Sequence, residues 1–354
     1  MGLKILHSAD WHLDSPFGSL PGEAAQTLRQ AQSRLPGMVA ELASRERCDL
    51  VLLAGDIFDR PPSRAALEIL KQALESMQVP VFIAPGNHDN LSVVPWREES
   101  WPENVHLFTG DLSYYDLAEL DCRVYGAGYQ SMDCPALLEG FQARGDARWC
   151  TAVLHGDPLS LSSPCCPVTA AQVMESGLDY LALGHIHRAG SFRAGNTLCA
   201  WPGCPMGRGW DETGPKSVYL VTLEEGAELS TVSLPLPRFY DLTVPIGNDA
   251  AAALEAVLPP VQSRDFYRVT LTGSGAVELP ALRERFAHLE YLELYDDTLH
   301  TDPWALAGDD SLRGVFFRML RDQLDGAGEA QAELIRQAAE LSLGLLEGRE
   351  VTLP

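Results

Sequence analysis

Five polar clusters occur in order along the 354-residue chain: Asp10-Trp11-His12, Gly55-Asp56-Ile57-Phe58-Asp59, Gly86-Asn87-His88-Asp89, His155-Gly156-Asp157 and Gly184-His185-Ile186-His187. Hard oxygen donors together with imidazole, and no thiolate, suit Mn²⁺, Fe²⁺ or Zn²⁺ rather than a structural zinc. Asp10, His12, Asp56, Asn87, His155, His185 and His187 are too many candidate ligands for one ion. They suit two ions ~3.5–4 Å apart, bridged by one carboxylate and one water.

The spacing favours this reading. In Asp10-x-His12 and His185-x-His187 the i and i+2 side chains of an extended segment point the same way, so one strand end can aim both inward. The neighbouring glycines let the backbone turn sharply and crowd the ligands together. Any single cluster is explained by a hydrogen-bonded loop residue, but five in order at strand termini are not.

Each cluster closes a short apolar run of strand length. The runs are Lys4–Ser8, Asp49–Ala54, Val79–Ala84, Cys150–Leu154 and Leu178–Leu183, rich in Val, Leu and Ile as fully buried strands are. Helical patterns lie between them, such as Ser63–Met77 with Ser63 as N-cap, and Thr169–Ser176. Strands alternating with helices predict an α/β layered sheet with ligands outside the carboxyl ends of the strands. Leu35-Pro36-Gly37 should split the helical stretch Gln26–Arg47 into two short helices. Lys216–Thr222 and Leu229–Leu234 read as antiparallel strands of a second sheet.

The prolines of Leu234-Pro235-Leu236-Pro237-Arg238 mark a boundary. Beyond it, strand, helix (Ala250–Leu258), strand (Phe266–Leu271), helix (Pro280–Ala287) and strand (Tyr291–Tyr295) form a small α/β module. After Asp302-Pro303 come two amphipathic helices, Ser311–Leu324 and Gly328–Leu346. The expected division is 1–236, 237–300 and 301–354.

Lys and Arg total 26 against 49 Asp and Glu, a net charge of −23, so the long-range field repels nucleic acid and anionic membrane alike. That excludes a non-specific DNA coat. No apolar stretch approaches the roughly 18 residues of a membrane span, and the N-terminus has no signal-peptide core, so the expected location is cytoplasmic. The eight cysteines contain no C-x-x-C and read as reduced, mostly buried thiols.

The five clusters resemble those of the calcineurin-like metallophosphoesterases. Ser8-Ala9-Asp10-Trp11-His12-Leu13, Gly55-Asp56-Ile57-Phe58-Asp59-Arg60 and Gly184-His185-Ile186-His187 look most like the SbcD-type and YhaO-type DNA repair exonucleases. Pro202-Gly203-x-Pro205-x-Gly207-Arg208-Gly209 followed by Asp211-Glu212 is similar to the YhaO branch. The resemblance implies an αββα sandwich with a small capping domain and C-terminal partner-binding helices. It implies that Asp10, His12 and His187 hold one metal, that Asn87, His155 and His185 hold the second, and that Asp56 bridges them. His88 would contact the phosphate and protonate or stabilise the leaving oxygen, with Asp89 fixing its imidazole and Asp59 supporting the loop. Mn²⁺ is the expected metal, with Fe²⁺ or Zn²⁺ as alternatives.

DNA ends or single strands are then the expected substrate, an SMC-like ATPase the expected partner, and a homodimer the implied assembly, with no membrane. Arg60, Arg188, Arg193, Arg208 and Lys216 fall in or just after the clusters and could face a phosphate backbone. Two alternatives stand beside this reading. One keeps the site but assigns a small phosphodiester, nucleotide or phosphoprotein substrate, which the acidic charge favours. The other is a non-catalytic subunit that docks an ATPase.

Overall fold

Two six-stranded sheets face each other across an apolar core, and the five polar clusters lie where both sheets end. The structure is a computed structural model and describes residues 2–247, 249–273, 275–299, 303–346 and 348. The chain forms two compact units, Met1–Arg238 and Phe239–Pro354. In chain order the first contains β1 (Leu3–Ser8), α1 (Gly22–Arg45), β2 (Leu50–Leu53), α2 (Arg64–Ser76), β3 (Val81–Ile83), β4 (Val105–Leu107), β5 (Ser113–Leu117), β6 (Cys122–Gly126), β7 (Trp149–His155), α3 (Ala170–Glu175), β8 (Tyr180–Gly184), β9 (Gly190–Ala194), β10 (Thr197–Trp201), β11 (Val218–Leu223) and β12 (Ala227–Val232).

One sheet has the order β12-β11-β1-β2-β3-β4 and the other β5-β6-β7-β8-β10-β9. Strands β1 to β4 are parallel, as are β6, β7 and β8, so their carboxyl ends collect on one side of each sheet. Ile5, Leu52, Phe82, Val124, Val153 and Ala182 fill the space between the sheets. The alternate residues Leu6, Val51, Leu53 and Ile83 are also fully buried, so the first sheet is covered on both faces, which explains its unbroken apolar runs.

The pair β11–β12 is antiparallel, but it does not start a second sheet. It extends the first, with Leu3 of β1 opposite Leu223 of β11. A central strand buried on both faces needs hydrogen-bonding partners on both edges, and β2 supplies only one.

Nor does Pro36 break the helix: α1 is continuous from Gly22 to Arg45 with Pro36 inside it. An interior proline costs about 3 kcal/mol. Burial of Leu28, Leu35, Val39 and Leu42, at about 1.5–3 kcal/mol each, outweighs that cost. Ser63 caps α2 by accepting the Ala66 N–H, and Thr169 with Gln172 forms a capping box on α3.

The second unit contains β13 (Phe239–Pro245), α4 (Ala250–Val257), β14 (Ser263–Thr272), α5 (Leu279–Arg285), β15 (Leu289–Asp296), α6 (Leu312–Leu324) and α7 (Glu329–Leu346). Its three strands are all parallel. Phe239, Phe266 and Tyr291 stack as a ladder with centroids 4.6 and 4.2 Å apart. Phe317, Ala339 and Leu343 form a small core of their own with Leu299 and Ala307. Asp302, where the sequence reading begins the terminal helices, lies outside the described residues. No helix among those residues is long and apolar enough to cross a membrane.

Candidate metal centre

The loops after β1 and β2 are zipped together, with Asp10 N–H donating to Gly55 O, His12 N–H to Asp56 O and Leu13 N–H to Ile57 O at 2.8–3.0 Å. Four candidate ligands lie in the left-handed region of backbone space: Asp10 (φ 54°), His12 (φ 46°), Asp56 (φ 51°) and His185 (φ 92°). Non-glycine residues rarely adopt this conformation, and strain of this kind collects where function dictates the backbone path. Gly184 is required at the junction of the sheets, because a Cβ there would collide with the Ala54 carbonyl oxygen.

These loops bring the sequence-predicted residues together. Donor atoms of Asp10, His12 and His187 lie within 4.8 Å of one another, as do those of Asp10, Asp56 and His155 and those of His12, Asp56 and His88. Asn87 Oδ1 is 2.9 Å from His155 Nε2, and the His185 ring stands edge-on to His155 with centroids 5.1 Å apart. Asp10, His12, Asp56 and His155 are almost fully buried, whereas the His88 side chain is 41% exposed at the rim.

The hydrogen bonds fix which nitrogen of two of these rings points inward. His155 Nδ1 donates to the Ala54 carbonyl at 2.9 Å, and His187 Nδ1 donates to Glu212 at 2.7 Å. Their Nε2 lone pairs therefore face inward, His155 toward Asn87 Oδ1 and His187 toward His12 Nε2 at 3.1 Å. Buried His12 Nδ1 has no well-aligned partner, although Asp59 Oδ1 lies 3.2 Å away. Electron-pair donors aimed at one another repel unless a proton or a cation lies between them. The residues present therefore fit a pair of divalent ions.

The electrostatics agree with this. Burial would push the Asp56 carboxyl up, but His155, His12 and His88 together hold it below the usual carboxylate range. Burial would push His155 down, yet Asp56 and Asp10 outweigh it and raise it. Burial lowers His12, with Asp59 and Asp56 opposing.

Three sequence expectations are corrected here. Asp89 does not fix the His88 ring: its buried carboxylate accepts the backbone N–H groups of Ile57, Phe58 and Gly86 and holds two clusters together. His88 Nδ1 instead faces the Asp59 carbonyl at 3.3 Å. Arg208 does not face solvent phosphate. Its guanidinium bonds Asp59 at 2.8 Å and Glu212 at 2.7 Å. Lys216 is 4% exposed and cannot reach a phosphate backbone. Arg60 and Arg188 are exposed, and Arg193 bonds the Ala227 carbonyl.

Glu212 is the functional residue the motif reading did not single out by role. Its signal was the acidic pair closing the glycine- and proline-rich segment, but nothing in that segment shows that its carboxylate meets His187.

A sequence model described as calcineurin-like phosphoesterase matches residues 3–189. The Bacillus subtilis (strain 168) protein named "Uncharacterized metallophosphoesterase YhaO" is 36% identical over 258 residues, which cover 68% of this chain and 61% of that protein. Among solved structures, a dimetal phosphatase from Danio rerio is 15% identical, covering 65% of this chain and 98% of that one at a TM-score of 0.42. GAP50, the anchor in the inner membrane complex of Plasmodium, is 12% identical, covering 66% and 84% at a TM-score of 0.42.

Proposed function

The chain belongs to the calcineurin-like phosphoesterase family, and from that premise we propose that it is a two-metal phosphodiesterase acting on DNA, an exonuclease subunit in double-strand-break repair that works with an SMC-like ATPase. The observation that carries the hydrolytic part is the inward convergence of imidazole lone pairs and carboxylates at the junction of the two sheets. Asp10, His12 and His187 would hold one ion, Asn87, His155 and His185 the other, and Asp56 both. Divalent ions bound there, Mn²⁺ foremost, would supply Lewis-acid polarisation of a phosphoryl group.

The chain's own residues do the rest. Asp10 and Asp56 are pinned by the His185 and His88 backbone N–H groups, so their carboxylates cannot swing away. His88, exposed at the rim with Nδ1 engaged by the Asp59 carbonyl, presents Nε2 to an incoming phosphate and gives a proton to the leaving oxygen. A groove of about 470 Å³ bordered by Phe17, Trp210 and Arg208 opens beside the centre, room for one nucleotide-sized group. The partner reading is supported by the apolar stripe of α6, where Leu312, Val315, Phe316 and Met319 recur at helical spacing and are 87, 41, 40 and 61% exposed.

The net charge of −23 favours a second reading, in which the same centre hydrolyses a small phosphodiester or nucleotide. End-labelled duplex and single-stranded DNA, incubated at low salt with Mn²⁺, Mg²⁺ or EDTA, separate the two. Degradation from ends with Mn²⁺, abolished by EDTA and lowered about 10²–10⁴-fold in His88→Ala, the range for a lost general acid, supports the nuclease. Intact DNA alongside a hydrolysed aryl phosphodiester selects the small-substrate reading.

A further inference from the structure

The segment Gly203–Glu212 lies outside the matched family region, residues 3–189, yet it lies directly over one half of the metal centre. Cys204 N–H donates to the His187 carbonyl at 3.2 Å. Gly203 (φ 73°) comes so close to that carbonyl that a Cβ would lie 2.5 Å from it. The strap ends at Glu212, which is 6% exposed and fully occupied: Oε1 accepts His187 Nδ1–H and Arg208 Nη2–H, and Oε2 accepts the Arg208 backbone N–H at 2.8 Å and the Cys204 thiol at 3.6 Å. Arg208 then reaches across to Asp59, the carboxylate beside His12 Nδ1. Two of the imidazoles thus have a carboxylate behind them, Glu212 hydrogen-bonded to His187 and Asp59 3.2 Å from His12 Nδ1 without good alignment, and one guanidinium holds both carboxylates.

The other half is built differently. His155 is backed by a neutral backbone carbonyl, that of Ala54, and the carboxylate facing the His185 ring is Asp157, with Oδ2 4.0 Å from Nε2. A carboxylate behind an imidazole makes the ring a better electron-pair donor and fixes its orientation, and losing such support lowers metal affinity about 10–100-fold.

We propose that Glu212 and Asp59, clamped by Arg208, are positioning residues for one of two unequal metal sites, the tighter one at Asp10, His12 and His187, which fills first. This rests on the two-metal reading above. Arg208 is there to hold two carboxylates, the buried Glu212 and the partly exposed Asp59, at a set distance, which a lysine cannot do because it lacks the planar fork.

Calorimetric titration of EDTA-stripped full-length protein with Mn²⁺ alone tests it. The wild type is expected to bind two ions in two distinguishable steps. Glu212→Gln, close in size to the native residue, should weaken the first step about 10–100-fold and leave the second within about threefold. Arg208→Lys should weaken the same step by less, and Glu212→Asp should restore part of the loss. Thermal midpoints of the stripped variants, measured in parallel, report folding. Two equal Mn²⁺ sites in the wild type, or a Glu212→Gln protein that loses both ions equally, would overturn the proposal. So would an unchanged first step. A wild type that binds fewer than two ions sinks the two-metal reading itself and the proposal with it.

Discussion

His7 shows how one side chain couples the two sheets. It sits on β1, fully buried, with Nδ1 2.7 Å from the Tyr180 hydroxyl and Nε2 3.0 Å from the Leu183 carbonyl, two residues before His185. Burial drives its pKa down to about 3, with the Leu183 bond opposing. In the unfolded chain the ring takes a proton near pH 6.5, whereas in the folded protein it stays neutral until about pH 3. Stability is therefore lost as pH falls through about 6.5, by up to about 1.4 kcal/mol per pH unit over that window. Urea unfolding at pH 7, 6, 5 and 4 should show that slope in the wild type and a shallower one in His7→Gln; equal slopes would mean the ring does not matter to stability. His7 was unreadable from the sequence, since a histidine within an apolar run looks the same whether it faces a sheet partner or a metal. The ligands were legible because each cluster closes an apolar run, four of the five with a glycine in the cluster. Arg208 was misread for a related reason: a guanidinium near a phosphate site and one clamping two carboxylates have the same sequence signature.

At the scale of elements, the strands carrying the ligands were legible because both of their faces are buried. The strands β4, β5 and β9 were not, because their residues are largely half-buried or exposed and show no apolar run. The sheet membership of β11 was also hidden, since alternation reveals a strand but not which edge it joins. Helix α1 is the clearest conflict between local and tertiary preference. Its Gln32 side chain, one turn before Pro36, donates to the His12 carbonyl at 2.7 Å and to the Trp11 carbonyl at 3.3 Å, so this helix holds the first metal loop in place. Replacing Pro36 by Ala restores a backbone donor and removes the ring clash, a gain of up to about 3 kcal/mol offset by about 1 kcal/mol of lost ring burial. The midpoint of thermal unfolding should rise by roughly 4–8 °C, at about 2–4 °C per kcal/mol for a unit of this size. A fall would mean that the helix is bent around Pro36 in a way other residues cannot follow.

For the molecule as a whole, the centre gathers buried Asp10 and Asp56 in a chain that is already strongly acidic, so bound cations should contribute to folding as well as to chemistry. Each ion present at 100 times its dissociation constant stabilises the fold by about 2.7 kcal/mol. Calorimetric scans with EDTA should therefore lower the transition of the first unit by roughly 10 °C or more, with recovery on adding Mn²⁺. The second unit has its own cores and should melt unchanged; a first unit insensitive to EDTA would mean weak or absent ions. Strand β1 also has a consequence for how the protein is made. One of its edges is covered early by β2, but the other waits for β11, which leaves the ribosome about 170 residues later. At about 5–20 residues per second that is on the order of ten seconds or more with an unpaired apolar strand at the edge of a nascent sheet. Newly made chain is thus most open to wrong pairings before Val218–Leu223 emerges, and a protein truncated just before that strand should be caught by chaperones or aggregate rather than accumulate as a smaller phosphoesterase.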